Sequence, residues 1–238
     1  MELFAALLPG TVPPEGCTPV WAACCTGKRL GRWVPPPRGG YLMVLSGSAV
    51  QEPGVVARDI LRLCLAGGAA GLIADFAPGR SDLTQVAAQL VPLCRSYHLP
   101  LTLPEQYAAA GGERVLVNAT VAGGSFRERL RQAVSRYGRE RVMLDLERTC
   151  REYPLPCVQT AGRFLDPAAF GRLRQSCPSY YSPELCGRYF TYRRGTESRY
   201  VLFDDRETLR QKLSVAREEG IGSALAVYEE VKDLWPLE

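Results

Sequence analysis

Histidine is almost absent from these 238 residues: His98 is the only one. It falls in the turn-like stretch "SYHLP" and is read as a solvent-facing loop residue, not as a base. Lysine is nearly as scarce, with 3 against 26 arginines. The arginines are scattered beside Glu and Asp on presumed helix faces and the net charge is only +4, so no nucleic-acid partner is expected. No apolar run is long enough to span a membrane, and "MELFAALLPGTVPPEG" carries Glu2 where a signal peptide carries a basic residue. These features point to a cytoplasmic protein with no membrane partner. Cysteine is plentiful, at nine residues, but the number is odd and no C-x-x-C pair occurs. That pattern fits reduced thiols better than a disulfide framework or a zinc site, so the thiols are expected to be reduced and no metal or cofactor is expected. Adjacent Cys24 and Cys25 are read as space-filling strand residues.

Apolar residues make up 46% and charged residues 23% of the chain, an ordinary composition for a globular protein able to bury a substantial core. No repeat, low-complexity tract or linker divides residues 1–238, which are read as a single domain. Eight short apolar runs read as strands: 3–9, 19–25, 41–47, 70–76, 99–104, 114–120, 141–147 and 223–229. Amphipathic stretches separate most of them. Residues 54–66 place Val55, Ile60, Leu63 and Cys64 near one face and end at Gly67 and Gly68, residues 81–97 open with Ser81 as an N-cap, and residues 125–137 open with a Ser125 to Glu128 capping spacing. A fourth helix covers 207–219. The first connections, with "WVPPPRGG", are poor in helix and are expected to be loops. Eight strand–helix units predict an α/β fold of the (β/α)8 TIM-barrel class, with a small β-hairpin at about 187–203, turning at "RRGTES", before strand eight.

Several segments in order resemble a known family. "GGYLMVLSG" is similar to the third strand of the family-18 glycoside hydrolases, the chitinase-like barrels, and "ILRLCLAGGAAGLIADFAPG" to the helix and fourth strand that carry their D-x-x-D-x-D-x-E signature. "SFRERLRQAVSRYGRERVMLDL" resembles the helix before the seventh strand. The tail "RYFTYRRGTESRYVLFDDRETLRQKLSVAREEGIGSALAVYEEVKDLW" resembles the terminal hairpin, the "FDD" turn, the next helix and the last strand, so that the likeness spans roughly residues 41 to 238. The resemblance implies a barrel whose relatives cleave N-acetylglucosamine polymers, with the sugar's own acetamide attacking and a carboxylic acid protonating the leaving oxygen.

Carried residue by residue, the resemblance implies a degenerate site. The last Asp of the signature falls on Asp75 and its catalytic Glu on Ala77; the earlier Asp positions become Ala70 and Ile73. An alanine methyl has no proton to donate, and loss of a general acid removes about 100- to 10,000-fold in rate. The family's acetamide-holding Tyr falls near Thr120, and its sugar-flooring Trp near Val227, with Tyr228 beside it. The leading expectation is a non-catalytic barrel that binds a glycan or small polar ligand in its mouth, with Asp75, Thr120, Asp145, Glu147 and Tyr228 as candidate ligand residues. An alternative is a glycosidase with a relocated acid, because Asp145 and Glu147 in "VMLDLERTC" have the two-residue spacing of side chains on one strand face. Both readings have plain counterparts: Asp75 as a leftover carboxylate held by neighbours, and Glu147 paired with Arg148 at a loop edge. A scaffold or oligomer subunit is the third reading, and the oligomeric state is left open. In the hairpin, Phe190 and Tyr192 are assigned to packing.

Overall fold

The computed structural model describes residues 1–8, 10–26, 29–30, 39–121, 123–156 and 162–237, without the side chains of 23–26 and 29–30. In chain order the strands are β1 (Glu2–Leu7), β2 (Thr18–Thr26), the two-residue β3 (Arg29–Leu30), and β4 (Tyr41–Leu45). Then come β5 (Gly71–Asp75), β6 (Leu101–Pro104), β7 (Arg114–Asn118) and β8 (Val142–Asp145). An inserted group follows: β9 (Cys150–Leu155), β10 (Arg163–Phe164), β11 (Tyr180–Ser182), β12 (Gly187–Arg194) and β13 (Glu197–Phe203). The last strand is β14 (Ser223–Val227). All eight runs read as barrel strands form parallel strands, and β1 pairs with both β2 and β14, which closes the barrel.

Alternation along each strand divides the packing into an inner and an outer layer. Phe4, Ala6, Val20, Met43, Ile73, Leu116, Met143 and Leu225 point inward and fill the lumen. The intervening residues point outward to the helices. Around β4, β5 and β6 they meet α1 (Pro53–Gly67) and α2 (Ser81–Ser96); around β7, β8 and β14 they meet α3 (Phe126–Tyr137) and α5 (Arg206–Glu218). Gly71 lets β5 lie against its register partner Tyr41, whose ring a Cβ at that position would overlap. A 3-10 helix, Glu105–Ala110, stands between β6 and β7. Between β1 and β2 the described residues contain no helix, as expected, whereas residues 33–38 of "WVPPPRGG" lie outside the described residues.

Helix boundaries follow local chemistry with two corrections. Ser125 caps α3 by accepting the Glu128 amide, and Gly68 closes α1 in the left-handed conformation at φ 61°. Ser81 is not the N-cap of α2: Arg80 occupies that position, its side chain pairing with Asp82 and not capping the helix amides, and the Asp82 carboxylate accepts the Val50 amide at 2.8 Å. The buried face of α1 is Val56, Ala57, Ile60, Leu61 and Cys64, while Val55 and Leu63 are only half-buried, because i to i+4 rows seat the helix on the sheet.

The hairpin is larger than expected. Its two strands, with Gly195 in the turn at φ 63°, are inner members of a five-stranded antiparallel sheet ordered β10-β9-β13-β12-β11. One face carries Phe190, Val201 and Phe203 against Phe170 of α4 (Pro167–Ser176), so the packing assignment of Phe190 holds. Tyr192 packs on the same cluster and donates to the buried Glu152.

Candidate functional site

Side chains at the C-terminal ends of the strands converge on one mouth, the end at which barrels of this class hold their polar groups. Asp75 ends β5, Asn118 ends β7 and Asp145 ends β8, with Asn118 and Asp145 directly paired in register. Beyond β8 the chain turns Leu146 outward into the core and Glu147 back to the mouth. Asn118 Nδ2 donates to Asp145 Oδ2 and to Glu147 Oε2, each at 3.1 Å. Thr120 Oγ1 lies 3.2 Å from the same Glu147 oxygen and 3.1 Å from Thr149 Oγ1. Arg151, at the start of β9, reaches Glu147 Oε1 at 2.9 Å. Glu147 therefore pairs with Arg151; Arg148, the partner expected for it, turns to Asp233 at 2.7 Å.

The electrostatics follow from this placement. Burial, reinforced by Asp75 and Glu147, pushes Asp145 up to about 7, with the Asn118 hydrogen bond opposing. Burial also raises Asp75, with Glu147 adding repulsion, and Asp75 has no hydrogen-bond partner among the described residues. Glu147 goes the other way: burial alone would raise it, but the hydrogen bonds from Arg151, Asn118 and Thr120 together hold it below the usual range. Glu230, in the short helix α6 (Tyr228–Val231), is raised by burial and by Glu147. The mouth thus combines a carboxyl whose proton affinity is raised to about neutrality with a carboxylate whose affinity is lowered.

Of the residues expected from the sequence, Asp75, Thr120, Asp145 and Glu147 come together. Tyr228 does not join them: its ring lies edge-on to Trp235, 5.6 Å between centroids, among the outward residues Ala5, Leu7 and Trp21. The inward residue at that strand end is Val227. Ala77 is exposed two residues beyond Asp75, its amide donating to Ser46 Oγ and its carbonyl accepting from Tyr107. Ile73 is buried in the lumen. His98 is exposed. Asn118, Thr149, Arg151 and Glu230 were not singled out from the sequence; the strand-end position of Asn118 was the one local signal for any of them. Among the described residues no group of three or more His, Cys, Asp and Glu could hold a metal ion. A separate cleft of about 790 Å3 lies at the opposite end of the barrel, beside His98, Glu113 and Arg141, away from the carboxylates.

No protein-family model and no curated protein matches the sequence. Solved structures do match. A chitinase from Chromobacterium violaceum ATCC 12472 superposes with a TM-score of 0.64 at 11% identity over 94% of this chain and 93% of that one. The chain has the fold of the family-18 chitinases. The Bacillus cereus spore cortex-lytic enzyme SleL gives a TM-score of 0.63 at 15% identity over 94% of this chain and 70% of that one. A family GH18 chitinase from Cycas revoluta, in complex with allosamidin, gives 0.55 at 14% identity over 82% and 78%. The family-18 resemblance in the segment order is matched by the fold. Among the described residues no helix is long and apolar enough to cross a membrane.

Proposed function

We propose that this family-18-like barrel binds carbohydrate at its C-terminal mouth and does not cleave it by the family-18 route. The observation that carries this reading is Ala77: the position that the resemblance assigns to the proton donor is an exposed methyl group. The mouth supplies the polar groups that a sugar needs, with Asn118, Thr120, Asp145 and Glu147 in one hydrogen-bonded group and the Asp75 carboxylate unpartnered among the described residues. Support for the ligand class comes from similar structures, among them Cycas revoluta chitinases in complex with (GlcNAc)3 and (GlcNAc)4.

A second reading is a glycosidase that uses Asp145 with Glu147 or Asp75. It is favoured by one observation, two neighbouring carboxyl groups with proton affinities driven apart, the pattern of an acid beside a base. Calorimetric titration with N-acetylglucosamine tetramer, alongside chromatography of the reaction mixture, separates the two. Binding that weakens in Asp75→Asn, with no product from either the native chain or Ala77→Glu, is the expected result. Ala77→Glu gives no rescue because Ile73 also replaces an Asp of the signature and Thr120 stands near the position of the family's acetamide-holding Tyr. Product release abolished by Asp145→Asn selects the glycosidase, and absence of both binding and product removes both readings.

A further inference from the structure

We propose that Arg151 is a positioning residue that, through its ion pair with Glu147, keeps the proton shared by the mouth's carboxyl groups off Glu147 and leaves it to Asp145. The carboxamide of Asn118 is held in one orientation: its Oδ1 accepts the Thr120 amide at 2.6 Å, so its Nδ2 must face the two carboxyl groups. That single nitrogen bridges Asp145 Oδ2 and Glu147 Oε2 at equal distances of 3.1 Å. What breaks the symmetry is everything else around the pair. Glu147 takes two further donors, the Thr120 hydroxyl on Oε2 and the Arg151 guanidinium on Oε1. Among the described residues Asp145 has only the Asn118 bond on its side chain, and it stands in the field of three carboxyl groups: Asp75 of β5, Glu147 beyond its own strand, and Glu230 of α6. The lumen below it is apolar, with Met143 and Leu225 nearest in register on β8 and β14. Arg148, the other cation of this loop, is committed to Asp233 and to the Glu230 carbonyl.

A carboxylate with three donors keeps its charge, and a buried carboxyl with one donor and negative neighbours keeps its proton. Arg151 belongs to β9, so a strand of the inserted sheet decides the protonation of groups on the barrel. On the reading of the mouth as a carbohydrate site, Asp145 then offers an O–H to a sugar oxygen while Glu147 only accepts.

The test uses ligand-free protein, so failure of carbohydrate binding and failure of this assignment are read separately. Carboxyl carbons labelled with 13C are followed through a pH titration by NMR. In the native chain Asp145 is expected to titrate near 7 and Glu147 below the ordinary glutamate range. Arg151→Gln raises the Glu147 midpoint by about one pH unit or more, and Arg151→Lys restores most of it, because the charge returns. Asn118→Leu raises both midpoints. Backbone amide spectra verify that each variant is folded. A native chain in which Glu147 titrates last, or a folded Arg151→Gln variant in which Glu147 does not move, overturns the assignment; the native titration decides even if a variant does not fold.

Discussion

Lys212→Met is the sharpest perturbation of the scaffold behind the mouth. Lys212 Nζ lies 2.7 Å from Asp204 Oδ2, and the two side chains are 3% and 1% exposed, so the pair has no contact with bulk water to soften its loss. Methionine keeps most of the lysine volume and removes the charge. Asp204 would be left buried with two neutral donors, the Thr149 amide at 2.9 Å and the Thr208 hydroxyl at 2.9 Å. Removing one partner of a buried pair costs about 3–5 kcal/mol, and the two remaining hydrogen bonds place this case at the lower end, about 3 kcal/mol. That is a large share of the roughly 5–15 kcal/mol that holds a folded domain. Urea unfolding, extrapolated to water for the native and variant chains, measures it. The double variant Asp204→Asn with Lys212→Met should regain part of the loss, since a neutral amide needs no counter-charge. A single-variant loss below about 1 kcal/mol, with an unchanged denaturant slope, refutes the view that this pair is sealed from solvent.

Asp145 ties stability to pH. Its pKa in the fold, about 7, lies above the roughly 3.9 of an unfolded aspartate, so the folded chain holds the proton more tightly. The stability linked to that proton is complete below about pH 4 and is lost as pH rises through 7; urea midpoints of the native chain should therefore fall from pH 5 to pH 8 relative to Asp145→Asn, and parallel pH profiles would contradict the assignment. All nine cysteines should titrate as free thiols in denaturant without reductant, in line with the six unbonded cysteines among the described residues, and a count below nine would reveal a disulfide. In the native state Cys64 and Cys94, pushed up by burial to about 12 and about 11, should resist alkylation at pH 8 while unfolding exposes them, and rapid native labelling of both would show that α1 and α2 open.

The strands of the barrel were legible because each is a local pattern: a short apolar run, two-sided in its burial, bounded by turns or by an amphipathic helix. The runs as read overshot at the mouth, where 114–120 and 141–147 end as strands at Asn118 and Asp145. The overshoot hides the residues that matter, because past the strand end the backbone no longer obeys a two-residue period and only contacts decide direction. Asp145 and Glu147 could be named from spacing, Asp75 from the family resemblance, and Ser125 from its capping spacing. The inserted sheet could not be recognised beyond its hairpin. β9 meets β13 across more than forty residues, with Tyr153 opposite Tyr200, and "CREYPL" has Pro154 in a run that suggests no strand by itself. That distant pairing is also what carries Arg151 to Glu147, and side-chain packing on Trp235 is what takes Tyr228 away from the mouth. Periodicity thus determined the barrel strands and the Asp145 and Glu147 pair at the rim, and the family resemblance added Asp75. The partner of each carboxyl, and with it the charge that each one holds, came from long-range strand pairing and burial, which are properties of the closed fold and not of any local stretch.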